Sequence, residues 1–188
     1  IVVPLSINLV KEKNQGTIIR LNSSPTPYFI HVLGKTFTYL VICLIQFLLM
    51  VAVGVYLFPY FDLPVFDISG KLLPMLFVTF FAGLGAIGFG VLLGTLAYTQ
   101  EQSAPFGATS VVILAAIGGI WVPVFMMPEF MQTISKFSPM NWGLNAYYDI
   151  ILRNSSVFGV VKYCGLLFLF YIAMVSIALI YEKKKNAS

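Results

Sequence analysis

The sequence predicts an all-α integral membrane protein, a polytopic helical bundle, and three observations carry that prediction. Of the 188 residues 59% are hydrophobic and only 10% are charged, with a mean hydropathy of +0.92; a soluble domain has roughly a quarter of its residues charged. Four apolar runs approach or exceed the ~20 residues that a helix needs to cross about 30 Å of hydrocarbon. None of these runs alternates polar and apolar residues as the strands of a membrane barrel would.

The opening residues 1–10, IVVPLSINLV, are already apolar. No basic region or small-residue cleavage site marks them as a signal peptide. They read as the end of a preceding helix, and the chain as the C-terminal part of a longer protein. Residues 11–35 are polar and basic, with Lys11, Lys13, Arg20 and Lys35 against the single acid Glu12. The predicted spans follow: Thr36–Phe58, ended by Pro59; Leu72–Tyr98; Gly107–Met127, with Pro123 near its end and Pro128 just beyond; and Phe158–Tyr181, stopped by Glu182 and Lys183–Lys185.

The distribution of Lys and Arg predicts the orientation. With residues 11–35 inside, four crossings return the C-terminus to the cytoplasm. The inner side then holds seven basic and three acidic residues, the outer side four of each.

Residues 129–156 are too polar to span and too apolar for a free loop. Phe130, Met131, Ile134 and Phe137 recur at helical spacing. Pro139 interrupts them, and Leu144, Tyr147, Tyr148, Ile151 and Leu152 begin a second helical pattern. Two short helices dipping into the outer leaflet are expected, with Trp142 at the interface. Backbone at that depth must be covered by protein or line a wet cavity, so this re-entrant hairpin is expected to sit over the bundle as a lid.

Several motifs are set aside on physical grounds. Gly34-Lys35-Thr36 resembles the end of a phosphate-binding loop, but Phe29 stands where the first glycine belongs and no strand precedes it. Gly83, Gly85 and Gly88 match a dinucleotide fingerprint inside an apolar helix, without its strand or its acid. Ala82, Ala86, Gly90 and Gly94 instead recur every four residues and form a small-residue stripe that lets another helix approach. That stripe serves helix packing or a sliding surface along a substrate path. Cys43 and Cys164 read as small buried hydrophobes, and His31 as an exposed or interfacial side chain. Asn22, Asn154 and Asn186 open glycosylation sequons, of which only Asn154 would face outward.

The first three predicted spans contain no Asp, Glu, Lys, Arg or His, and the fourth has only Lys162 near its outer end. Ion-coupled carriers place ionisable groups at mid-membrane, so the energy source is expected elsewhere. The inner stretch is the candidate entry point. Its basic charge also suits a helix resting on lipid. Its two parts, separated by a break at Asn22–Pro25, suit a knob that fits a protein groove, with Thr26 and Pro27 opening the second short helix.

These residues in this order resemble the C-terminal part of the permease subunit of type-2 ATP-binding cassette (ABC) exporters. The resemblance rests on Lys11-Glu12-Lys13, Gly16-Thr17, Arg20, Ser24-Pro25 and Gly34-Lys35, then on the turn Thr99-Gln100-Glu101-Gln102. It continues through Gly118-Gly119-Ile120, Pro123, Met127-Pro128-Glu129, Ser138-Pro139-Met140-Asn141-Trp142-Gly143 and Leu152-Arg153. Asn14-Gln15 replaces an acidic run found in many members, and Pro27 replaces a helix former. The resemblance implies six membrane helices per subunit, a homo- or heterodimer of permeases in the lipid bilayer, and an ABC ATPase subunit or domain that carries ATP and Mg. Residues 11–35 would contain the coupling helix, with Glu12, Gly16, Thr17, Ile18, Arg20 and Leu21 as contacts to the ATPase. Pro128, Glu129, Pro139, Asn141 and Trp142 would belong to the lid. The chain itself would be no enzyme, hold no cofactor or metal and bind no nucleic acid. It would move a lipophilic or amphiphilic substrate outward across the plasma membrane, the inner membrane in a bacterium. A secondary carrier or channel with charges upstream, and a non-transporting scaffold, are the alternatives.

Overall fold

Helix α3, Leu72–Leu96, is the axis around which the other elements pack. The computed structural model describes residues 1–15, 28–61, 68 and 70–185. Among them are seven α-helices and two short 3-10 turns, with no strand. The helices are α1 (Val2–Asn14), α2 (Tyr28–Tyr56), α3, α4 (Gln100–Ile117), α5 (Glu129–Ser135), α6 (Pro139–Arg153) and α7 (Val157–Lys185). Half of the apolar stretch of α3 is buried within the protein, against 11% for α2 and 22% for α7. Its centrality follows from its sequence: glycines on three faces let three neighbours come close. A Cβ at Gly83 would meet Cys43 Sγ of α2 at 3.0 Å. One at Gly88 would meet Tyr171 of α7 at 2.9 Å, and one at Gly94 would meet Leu9 of α1 at 2.8 Å.

The helix ends sort into two groups. At the charged end lie the C-termini of α1, α3 and α7 with the N-terminus of α2, joined by Lys13–Glu182, Lys13–Thr95 and Glu12–Lys35 contacts. At the hairpin end, Lys71 Nζ donates to Ile151 O at 3.2 Å, and Phe47 of α2 lies beside Tyr147 of α6. Helices α3 and α7 run parallel, since Gly88 faces Tyr171 and Thr95 lies near Glu182 through Lys13. The chain therefore leaves α3 at the charged end and enters α7 at the hairpin end. Residues 97–156 make one net passage between them.

That passage is not the continuous span expected at Gly107–Met127. Helix α4 starts earlier and ends at Ile117, after 18 residues. At 1.5 Å per residue it covers roughly 27 Å, and its first turn is the polar Gln100-Glu101-Gln102. Thr99 caps it, Oγ1 accepting from the Gln102 N–H at 3.2 Å, while Gln102 Oε1 accepts from the Tyr98 N–H. This reciprocal pairing is a capping box, shifted by one residue on the return bond. Gly118 and Gly119 end the helix, and Gly119 has φ +90, a conformation disfavoured for residues with a Cβ. Three described helices, not four, are long and apolar enough to cross a membrane: Phe29–Tyr56, Leu72–Leu96 and Val157–Lys184.

Two other boundaries differ from expectation. Helix α2 begins at Tyr28, so residues 28–35 continue into the span instead of forming a separate short helix. Helix α7 does not stop at Tyr181 but runs through Glu182–Lys185. Both extensions are stabilised by ion pairs at the charged end, where local polarity alone suggests a stop.

The glycine faces generate a contrast between two single substitutions. Gly88→Ala would place a methyl 3.1 Å from the Tyr171 backbone, which cannot swing away. It should lower stability by about 1–3 kcal/mol through overpacking. Gly165→Ala in α7 meets nothing within 4 Å and should be neutral or gain up to ~1 kcal/mol from helix propensity. Thermal unfolding in detergent separates the two, and equal shifts would refute close packing at Gly88.

Candidate functional site

Two polar regions flank the apolar body. The first is built on the last turn of α1. Glu12 Oε2 accepts from Lys35 Nζ at 2.6 Å and from His31, in its Nε2–H form, at 3.0 Å. Both donors lie on the first two turns of α2, so one carboxylate oxygen joins the two strands of chain that enclose residues 16–27. Burial acts first and upward on the Glu12 carboxyl, by withdrawing it from water. The hydrogen bonds and charges of Lys35 and His31 together outweigh that, and the carboxyl sits below its ordinary value of 4.5. Lys13 Nζ donates to Thr95 O at 2.9 Å and to Glu182 Oε2 at 3.2 Å. Asn8 Nδ2 donates to Tyr39 OH at 2.7 Å and adds a second bond between α1 and α2.

Of the residues expected to contact an ATPase, Glu12 stands in this cluster, while Gly16, Thr17, Ile18, Arg20 and Leu21 lie outside the described residues. His31 is half-buried and paired, not exposed. The sequence marks Lys13 in the basic stretch and Glu182 at a helix end, but not their pairing. The legible signal was a Lys and a Glu at two predicted helix ends on the same side, but 169 positions apart.

The small-residue stripe is divided between two surroundings. Gly90 and Gly94 lie against Val2, Leu5, Ser6 and Leu9 of α1. Ala82 and Ala86 line an apolar cavity of about 260 Å³ with Phe89, Leu114, Leu144 and Tyr147. This cavity lies between α3, α4, α6 and α7 and reaches Val2.

The second polar region is the hairpin. The start of α6 closes the broken end of α4: Asn141 Nδ2 donates to Gly118 O at 3.3 Å, and Ser138 Oγ, at the N-cap of α6, adds a bond at 3.4 Å to Leu114 O, which already accepts from the Gly118 N–H. Carbonyls in the last turn of a helix have no partner within it. Here α6 supplies one, and Gly118 lets it approach, since a Cβ there would sit 2.6 Å from Met140 Cβ. Asn145 donates to Asn141 Oδ1 at 2.8 Å and orients that amide. Trp142 Nε1 donates to Lys136 O at 2.7 Å and closes the turn between α5 and α6. Pro139 is the first residue of α6, where its missing N–H costs nothing; at α5, Pro128 is the N-cap and Glu129 the first residue. Thr79 Oγ1 and Tyr147 OH are 2.7 Å apart and tie α6 to α3. Around this end Tyr56, Tyr60, Phe125, Phe130, Phe137 and Phe158 are all exposed, as in an interfacial aromatic belt.

Comparison with known proteins gives a consistent answer. A family model described as "ABC-2 family transporter protein" matches residues 1–180. The linearmycin resistance permease protein LnrN of Bacillus subtilis (strain 168) is 30% identical over 87 residues, 46% of this chain and 23% of the relative. The probable multidrug ABC transporter permease YbhR of Escherichia coli (strain K12) is 26% identical over 159 residues, 84% of this chain and 41% of the relative. The chain thus spans less than half the length of these curated relatives. No solved structure gives a significant match.

The Glu12 cluster generates a signed pH dependence. A carboxyl lowered by folding contributes stability above its ordinary value and loses it as pH falls through the lowered one. The gap in melting temperature between wild type and Glu12→Gln should be full at neutral pH and close as pH drops below about 4.5. A gap that stays constant on acidification would show that the charge is not what joins α1 to α2.

Proposed function

The chain belongs to the ABC-2 transporter family, and from that membership we propose that it is the membrane-spanning permease part of an ATP-driven exporter. It is a multi-pass membrane protein of the permease type. In this reading a separate ABC ATPase subunit or domain binds ATP and Mg and does the hydrolysis, and the chain has no catalytic residue. The permease works as a homo- or heterodimer in the plasma membrane, the bacterial inner membrane in a prokaryote. The charged end and the C-terminus face the cytoplasm.

The observation that carries the reading is the arrangement of the charged end. Three described helices are apolar enough to cross a membrane, and α1, α3 and α7 end, and α2 begins, in one ionic cluster that includes residues flanking 16–27 in the sequence. The apolar interiors of α2 and α3 carry no Asp, Glu, Lys, Arg or His for an ion gradient to act on, which favours force entering from outside. We assign that entry to the coupling segment 11–35, with Glu12 joining its two ends and Gly16, Thr17, Ile18, Arg20 and Leu21 as contacts. ATP-driven closure of the ATPases displaces this segment, and nucleotide state is thereby linked to the transmembrane conformation.

The fourth crossing is a composite in this reading: α4 rises from the cytoplasmic side, and residues 118–153 complete the passage as a re-entrant hairpin over the bundle. The bonds of Asn141 and Ser138 to the end of α4 and the Thr79–Tyr147 bond support this placement. The relatives are named for linearmycin resistance and multidrug transport. Together with the exposed Tyr60, Phe61, Phe125 and Met126 near the hairpin end, those names favour a lipophilic or amphiphilic cargo.

Replacing Gly16 by Val, Thr17 by Val or Arg20 by Ala should lower export per ATP hydrolysed by about tenfold, a typical allosteric coupling, with expression unchanged. Unaltered export in all three would sink the coupling assignment. Export that survives ATP depletion but collapses with the ion gradient would favour a secondary carrier. For the hairpin, Trp142→Cys should react more slowly with a bulky impermeant thiol reagent than Tyr60→Cys; equal rates would show a freely exposed loop.

A further inference from the structure

The last turn of α1 sends its two adjacent charges to different neighbours. Glu12 faces α2 and binds Lys35 and His31. Lys13, about 100° further round the helix, faces a different side, towards α3 and α7. Two of its acceptors differ in kind. Thr95 O belongs to the last turn of α3, where carbonyls lack helical partners and a cation is favoured. Glu182 is a carboxylate on α7 with a side chain only 9% exposed, and the Lys13 side chain is 13% exposed.

The apolar layer next to this pair, including Leu9, Val91, Val175 and Ala178, already packs the three helices together. A buried ion pair adds little stability over apolar side chains of the same volume; its distinctive contribution is a fixed register. The contacts at Gly90 and Gly94 bring α1 close against α3 through apolar side chains and backbone. The bond from Lys13 to a backbone carbonyl and a buried carboxylate adds a directional polar tie at the end of that contact.

We propose that Glu12 and Lys13 form a two-sided clamp that makes α2, α3 and α7 follow the end of α1 as one body, with Lys13 the positioning residue. This rests on the reading that residues 11–35 receive force from an ATPase. A displacement of residues 16–27 reaches the described helices first at the end of α1 and the start of α2. Glu12 holds those two together, and Lys13 passes the movement to α3, whose far end carries the Thr79–Tyr147 bond to the hairpin.

The test uses the full-length permease with its ATPase partner in proteoliposomes, with Cys43 and Cys164 replaced by Ala and a single reporter, Tyr148→Cys, in α6. The labelling rate of the reporter is compared in the nucleotide-free and vanadate-trapped states, and ATP hydrolysis is followed in parallel. Lys13→Met alone leaves Glu182 buried without its partner and can unfold the protein. Lys13→Met with Glu182→Met removes both charges and keeps the volume. In the clamp model this double variant folds and hydrolyses ATP, but the ratio of the two labelling rates falls to about one, the value for no allosteric coupling; Lys13→Arg retains the wild-type ratio. A double variant that responds like wild type, or loss of the response in Lys13→Arg, overturns the clamp. A wild-type complex whose reporter ignores nucleotide overturns the coupling reading itself, which separates the two failures.

Discussion

In hydrocarbon, apolar side chains gain nothing by leaving lipid for one another, so helices associate through close van der Waals contact and polar bonds. Helix α3 meets that constraint with glycine. Gly83 admits Cys43 and Leu40 of α2, Gly85 and Gly88 admit Leu167, Phe170 and Tyr171 of α7, and Gly90 and Gly94 admit the backbone of α1. A methyl group at Gly88 or Gly94 would sit within 3 Å of a neighbouring atom. The other helices are arranged by what this one leaves room for. The same slimness leaves the apolar space beside Ala82 and Ala86, where no helix among the described residues takes up the approach.

Close contact sets distance but not register, and polar bonds supply the second. They concentrate at the two ends of the bundle. At the charged end one turn of α1 holds three helices, through Glu12 on one side and Lys13 on the other. At the hairpin end the bonds that hold the broken helix and its neighbour are neutral, Thr79 with Tyr147, Asn141 with Gly118, Ser138 with Leu114, beside the charged Lys71–Ile151 bond and the Arg153–Asp149 pair. Charged groups suit an end that water can reach, where desolvation is partial. Neutral amides and hydroxyls suit a broken helix whose free carbonyls require donors without the cost of a buried ion.

The passage between α3 and α7 shows how these requirements act together. Residues 107–127 are apolar enough to span, yet Gly118 and Gly119 turn the chain after α4. The turn is tolerated because Asn141 of α6 supplies a donor to the Gly118 carbonyl and Ser138 bonds to Leu114 O beside it. Helix α6 is thus bonded both to the end of α4 and to the N-terminal half of α3.

Composition and the length of the apolar runs determined the membrane class, the helical content and the helices on either side of Pro139, because these depend on local residue type and spacing; the resemblance to the family rests instead on short motifs taken in order. The polar segment 11–35 and the small-residue stripe were legible for the same reason. Tertiary structure alone decided which face of α3 each glycine serves. It also decided that the run beginning at Gly107 breaks at Gly118, and that α2 and α7 extend past their apolar cores into charged turns. Those outcomes depend on pairs such as Lys13 with Glu182 and Gly118 with Met140, far apart in sequence. The partner that stabilises a charged helix end or caps a broken one is supplied by another element, and no local pattern encodes where that element will lie.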